Sequence, residues 1–227
     1  MTAIRPKAVS FAVGDKRTVS GLLIVPSQAR ACYVLAHGAG AGMTHPFMAA
    51  IADGLAERGV ATLRYQFPYM EQGSKRPDTP KVAQATVRAA VLAASNLVPG
   101  LILVAGGKSY GGRMTAQAEA TSPLPGVLGL AFLGFPLHPA GKPSDERALH
   151  LFQITIPMLF LQGTRDALAD TKLLERLVRK LGAKATLRLF QEADHSFHVP
   201  ARSEGTDAVV RSELLDDLAA WIGKLSG

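Results

Sequence analysis

Leu101-Ile102-Leu103-Val104-Ala105-Gly106-Gly107-Lys108-Ser109-Tyr110-Gly111-Gly112 is the stretch from which the fold is read. Residues 101–105 are wholly apolar, the composition of a strand buried on both faces. Helical spacing begins at Gly111 and runs to Ala120 with almost no loop between. A strand that turns straight into a helix is half of a strand–helix–strand unit, the repeating element of a parallel sheet. Upstream, residues 32–36 and 60–64 read as strands. They are separated by a helix over 46–58 that stops at Gly59, and a second helix over 81–97 ends at Pro99-Gly100. Downstream, strands are expected at 126–133, 157–162 and 185–190, with helices at 171–181 and 205–225. An opening antiparallel hairpin pairs 9–13 with 21–25 around Gly14-Asp15-Lys16-Arg17, and long loops span 65–80 and 134–154. The fold class is therefore α/β, a mostly parallel sheet covered by helices on both faces. No linker suggests a second domain, so residues 1–227 form one.

Within the deciding stretch, Gly107-Lys108-Ser109-Tyr110-Gly111 is a Gly-x-Ser-x-Gly between strand and helix. A turn this tight strains the backbone and crowds it against neighbouring strands, so the positions two before and two after the serine need to lack a Cβ. It lifts the serine oxygen above the strand ends and aims the positive end of a helix at it. A phosphate-binding loop is the competing reading of Gly-Gly-Lys-Ser, but that loop needs a glycine where Ile102 stands.

A serine hydroxyl needs a base, and the nearest suitable histidine by topology is His195, directly after the last strand. His198 is its competitor; His37 belongs to a glycine loop, and His45, His138 and His150 lie in or beside loops. The base needs a carboxylate from another strand end, and Asp166, just past 157–162, fits the order nucleophile, acid, base along the chain. Asp170 is better placed to cap the following helix, and Asp194 cannot easily fold back onto its neighbour's ring. A developing oxyanion would take its donors from the Tyr110 N–H and from the Ala39 N–H in the loop His37-Gly38-Ala39-Gly40-Ala41-Gly42.

Composition narrows the rest. The net charge of +7 raises the question of nucleic acid, but much of the charge falls on Lys172, Arg176, Arg179, Lys180, Lys184 and Arg188 with no aromatic residues interleaved, which reads as a solvated face. His195 and His198 have no cluster of Cys, Asp or Glu at ligand spacing, so no metal or other cofactor is expected. The single Cys32 lies in an apolar run and reads as a buried small hydrophobe. No secretory leader or membrane-length apolar run is visible, so cytoplasmic residence, no membrane partner, and a monomer or homodimer are the expectations.

Taken together, the chain resembles the α/β-hydrolase superfamily, and within it the small dienelactone-hydrolase-like branch that includes the Tex-type small serine hydrolases of animals. Beyond Ser109, Asp166 and His195, the likeness rests on Arg64 to Met70 with Pro77-Asp78, on Gly107 to Met114, and on Phe135 to Pro143. The resemblance implies an α/β-hydrolase fold of seven to eight strands with no large lid. It also implies hydrolysis of small or short-acyl carboxylic esters through a serine, histidine and aspartate acting together. Dienelactone hydrolases carry a cysteine as nucleophile where this chain has Ser109, so their particular substrate is not carried over. A thioesterase or peptidase with the same three residues, and a non-catalytic scaffold of the same fold, are the competing readings. Phe67, Tyr69, Met70 and His138 are candidates to line the substrate site.

Overall fold

The structure is a computed structural model and describes residues 4–15, 17–203 and 205–225. Its strands are β1 (Lys7–Val13), β2 (Arg17–Ile24), β3 (Ala31–Ala36), β4 (Val60–Tyr65), β5 (Ile102–Lys108), β6 (Val127–Leu133), β7 (Met158–Gly163) and β8 (Ala185–Phe190). Its helices are α1 (Pro46–Glu57), α2 (Pro68–Glu71), α3 (Pro80–Leu97), α4 (Tyr110–Thr121), α5 (Thr171–Leu181) and α6 (Asp207–Lys224). The strands form one eight-stranded sheet in the order β1-β2-β4-β3-β5-β6-β7-β8. β1 and β2 pair antiparallel, β2 pairs antiparallel with β4, and every later pair is parallel.

The central strands are apolar at successive positions because both faces are covered. In β3, Cys32, Val34 and Ala36 enter the core under α3, α4 and α5, whereas Ala31, Tyr33 and Leu35 enter the opposite core under α1 and α6. β6 and β7 divide the same way, with Phe132 and Phe160 on the first side and Leu133 and Leu161 on the second. Cys32 is fully buried, and that burial pushes its thiol up to about 12, so it behaves as a hydrophobe. The basic side chains Lys172, Arg176, Arg179 and Lys180 form the solvent face of α5, whose Leu174, Leu177 and Leu181 face inward.

Several boundaries differ from the sequence expectation, each for a local reason. β5 continues through Gly106 and Gly107 to Lys108, because the ladder to β6 persists there as Gly106↔Ala131 and Gly107↔Phe132. β2 starts at Arg17, its pairing with Val13 closing the hairpin tightly; Lys16, in the expected turn, lies outside the described residues. The final helix starts at Asp207 because the Thr206 hydroxyl accepts the Val209 N–H and caps it there. The expected loop 65–80 contains the short α2, and the loop 134–154 contains a 3-10 segment, Glu146–Gln153, that buries Ala148 and Leu151.

Strand order makes the site. From β3 the chain crosses by α1 to β4 on one side, and from β5 it crosses by α4 to β6 on the other. The loops after β3 and β5 therefore part, and a crevice opens between them at the carboxyl edge. Among the described residues no helix is long and apolar enough to cross a membrane.

Candidate active site

Ser109 is the single residue between β5 and α4, and it holds φ 49° and ψ −115°, a conformation that a side-chain-bearing residue adopts only when its surroundings fix it. They do so from both sides. The Ser109 N–H donates to the Leu133 carbonyl of β6 at 3.1 Å, and its own carbonyl accepts the Arg113 N–H at 3.1 Å. A Cβ on Gly107 would stand 2.2 Å from the Ala36 carbonyl oxygen, and one on Gly111 would stand 2.6 Å from that of His37. The elbow thus exists only because these positions are bare.

The expected juxtaposition of three strand ends is present. His195 Nε2 lies 2.9 Å from Ser109 Oγ, and His195 Nδ1 lies 2.7 Å from Asp166 Oδ2. With Asp166 accepting at Nδ1–H, the free lone pair of the ring is at Nε2, where the serine hydroxyl can donate. The Asp166 side chain is 0% exposed while that of His195 retains 26%, so solvent or substrate reaches the ring but not the carboxylate. The carboxylate is also held from behind: Oδ1 accepts the Leu168 N–H at 2.8 Å, and Oδ2 accepts the Gln162 side-chain amide. Gln162 in turn accepts the Phe135 N–H at 2.8 Å, fixing the amide orientation and tying the loop after β6 to the end of β7. Sequence reading missed Gln162; its signal was a lone amide at the end of an otherwise apolar strand.

Three of the other histidines are committed elsewhere. Buried His37 donates from Nδ1 to the Gly38 carbonyl and accepts the Phe67 N–H at Nε2, and burial lowers its pKa to about 4. His138 donates to the Pro139 carbonyl and accepts the Asp170 N–H. His198 is on the surface, 2.8 Å from Asp207, and that contact raises its pKa.

Ser109 and His195 open into a cavity of about 380 Å³ walled by Gly38, Ala39, Phe47, Met48 and Leu168, with His45 and Ser196 at its polar points. The four residues expected to line a substrate site do not line this one. Phe67 is fully buried among the rings of His37, Tyr65, Tyr69 and Tyr110. Tyr69 is buried with its hydroxyl accepting the Gly40 N–H, Met70 packs against the core beside Gly42, and His138 is spent on backbone groups. The wall comes instead from the start of α1, which tertiary packing carries over the serine; Phe47 stacks on Phe197 at 5.9 Å. Ala39 borders the cavity, and Tyr110 opens α4, so its N–H is among the donors a helix cannot pair internally.

Known proteins share this frame. A serine hydrolase without a lid from Xanthomonas campestris superposes with a TM-score of 0.74 at 18% identity, covering 96% of this chain and 95% of its own. The dienelactone hydrolase of Anabaena variabilis gives 0.73 at 20% identity over 95% and 97%. The esterase domain of a Rhodothermus marinus protein gives 0.72 at 17% identity over 99% and 100%. At such identities the likeness is one of fold, and the sequence itself carries the assignment: the profile of the alpha/beta hydrolase domain matches residues 29–223, and the chain belongs to the α/β-hydrolase family.

Proposed function

We propose that the protein is a serine hydrolase that cleaves small or short-acyl carboxylic esters through an acyl-enzyme. The observation that carries this reading is the unbroken contact from Asp166 through His195 to Ser109 Oγ at the floor of an apolar cavity. Ser109 Oγ attacks the ester carbonyl while His195 Nε2 takes its proton; the same nitrogen returns the proton to the departing alkoxide. Water, deprotonated by His195, then releases the acid and restores the serine. Asp166, dry and held by three donors, keeps the tautomer and stabilises the imidazolium. The N–H groups of Ala39 and Tyr110 receive the oxyanion, a role in which losing one donor costs about a hundred- to a thousandfold.

The cavity volume and its apolar wall favour a short acyl chain or a single ring, and the esterase and dienelactone hydrolase that share the fold are, by name, enzymes of ester bonds. A fluorophosphonate probe followed by a p-nitrophenyl ester series tests the reading. Covalent label on Ser109 is expected, lost in Ser109→Ala. His195→Ala should lower turnover about ten-thousandfold while His198→Ala, on the surface, keeps most of it. Folded protein that takes no label would sink the proposal.

A further inference from the structure

Lys108 is the last residue of β5 and the immediate neighbour of the nucleophile, yet its side chain serves the opposite side of the crevice. Its stem passes Gly38, and its ammonium donates to the main-chain carbonyl of His195. The rings of Phe47 and Phe197 lie over that ammonium, with centroids 5.9 and 5.5 Å away. Gly134, at the end of β6, makes the space: a Cβ there would come within 2.8 Å of the Lys108 nitrogen and 3.4 Å of His195 Nδ1.

The cost of this arrangement is what gives it meaning. An ammonium taken out of water loses several kcal/mol of hydration. Among the described residues no carboxylate lies at ion-pair distance from it, and an apolar side chain would lie against the two aromatic rings without that loss. What an apolar side chain could not do is hold the loop that carries the base. The titratable groups about the ammonium are Asp166 on the loop after β7 and Asp194 and His195 on the loop after β8, and His45 lines the same cavity. Desolvation draws the Lys108 pKa down to about 8, with Asp166 and Asp194 opposing the fall, so it is a cation at neutral pH.

We propose that Lys108 is a positioning residue for the base: it ties the main chain of His195 to the nucleophile elbow and sets a cation beside the imidazole–carboxylate pair. The tie links the end of β5 to the loop after β8, past β6 and β7, so the 2.9 Å contact between Nε2 and Oγ does not depend on the loop alone.

The inference rests on the hydrolase reading, and steady-state kinetics of three variants against the same ester separates the two. Lys108→Met removes both donor and charge, Lys108→Gln keeps a donor, and Lys108→Arg keeps both. Expected is a fall in kcat of about ten- to a hundredfold for the methionine variant at little changed KM, with smaller falls for glutamine and then arginine. With the cation gone, the acid limb of kcat/KM should move up in the methionine and glutamine variants and stay in place in arginine. A rise in KM at constant kcat, or one acid limb shared by all, overturns the proposal. If the methionine variant does not fold, the glutamine and arginine pair decides by the acid limb alone. A wild type that takes no fluorophosphonate label removes both readings; a labelled wild type with indifferent Lys108 variants removes only this one.

Discussion

Two glycine-rich turns meet at the carboxyl edge of the sheet, residues 106–112 and 37–42, and similar compositions answer different physical demands. In the first, a Cβ would stand 1.8 Å from the Ala131 carbonyl oxygen at Gly106, 2.2 Å from that of Ala36 at Gly107, 2.6 Å from that of His37 at Gly111 and 2.7 Å from that of Gly107 at Gly112. Each of these obstacles is main chain, of a neighbouring strand or loop or of the turn itself, and cannot move aside. In the second, nothing lies within 4 Å at Gly40, and the nearest atom at Gly38 is the Lys108 side chain at 3.5 Å. Glycine in one turn is imposed by the packing of strands; in the other, Gly40 and Gly42 serve a left-handed backbone (φ 73° and 76°), and Gly38 leaves open space beside Ser109. The first turn therefore holds the fold, and the second shapes what can reach the serine.

The sharpest way to break this contrast is Gly107→Ala. Its φ of 148° is hostile to an L side chain, and the added carbon would overlap the backbone of β3. Loss of more than about 4 kcal/mol, or failure to fold, is expected from urea unfolding and soluble yield. A folded variant within about 1 kcal/mol of wild type would show that the elbow can relax, and the distinction between the turns would fail.

His37 is the fixed point of the open loop, and acid sharpens the comparison there. Burial holds its folded-state pKa near 4, below the ordinary 6.5, while it donates to Gly38 and accepts from Phe67. A group depressed on folding contributes its full stability above the unfolded value and loses it as pH falls. Between about pH 6.5 and 4 the urea midpoint should therefore drop, with His37 supplying up to about 1.4 kcal/mol per pH unit. His150, also lowered to about 4 by burial and by Arg113, adds to the same slope. His37→Gln should be less stable at neutral pH but show a shallower slope. An unchanged slope would mean that the loop is not anchored through this ring.

The order of elements and the three meeting strand ends were legible because the signals are local. Two-sided burial leaves β3, residues 102–105 of β5 and residues 158–161 of β7 continuously apolar, and the elbow needs its glycines within a few residues of Ser109. The wall of the cavity was not legible, since Phe47 and Met48 reach Ser109 only when α1 folds over the edge and Phe47 meets Phe197. For the same reason an aromatic such as Phe67 looks, in sequence, equally fit for a pocket or a core; the ring cluster around His37 claims it. The 3-10 segment Glu146–Gln153 escaped because it buries only Ala148 and Leu151, too few positions to set a period.

The smallest expected effect is the most informative about the open turn. At Gly38 the backbone is not left-handed, and a Cβ would sit in ordinary contact, 3.5 Å from Lys108 Cγ and 3.8 Å from Ser109 Cβ. Gly38→Ala should therefore leave stability unchanged or raise it by about 0.4 to 1 kcal/mol, through reduced freedom of the unfolded chain. The same methyl narrows the approach to Ser109, so kcat/KM for p-nitrophenyl butyrate should fall more than for the acetate. A variant equally fast on both esters would place the acyl group away from this turn, toward other lining residues such as Leu168 and Ser196. A variant that loses stability as Gly107→Ala does would show that both turns obey the same constraint.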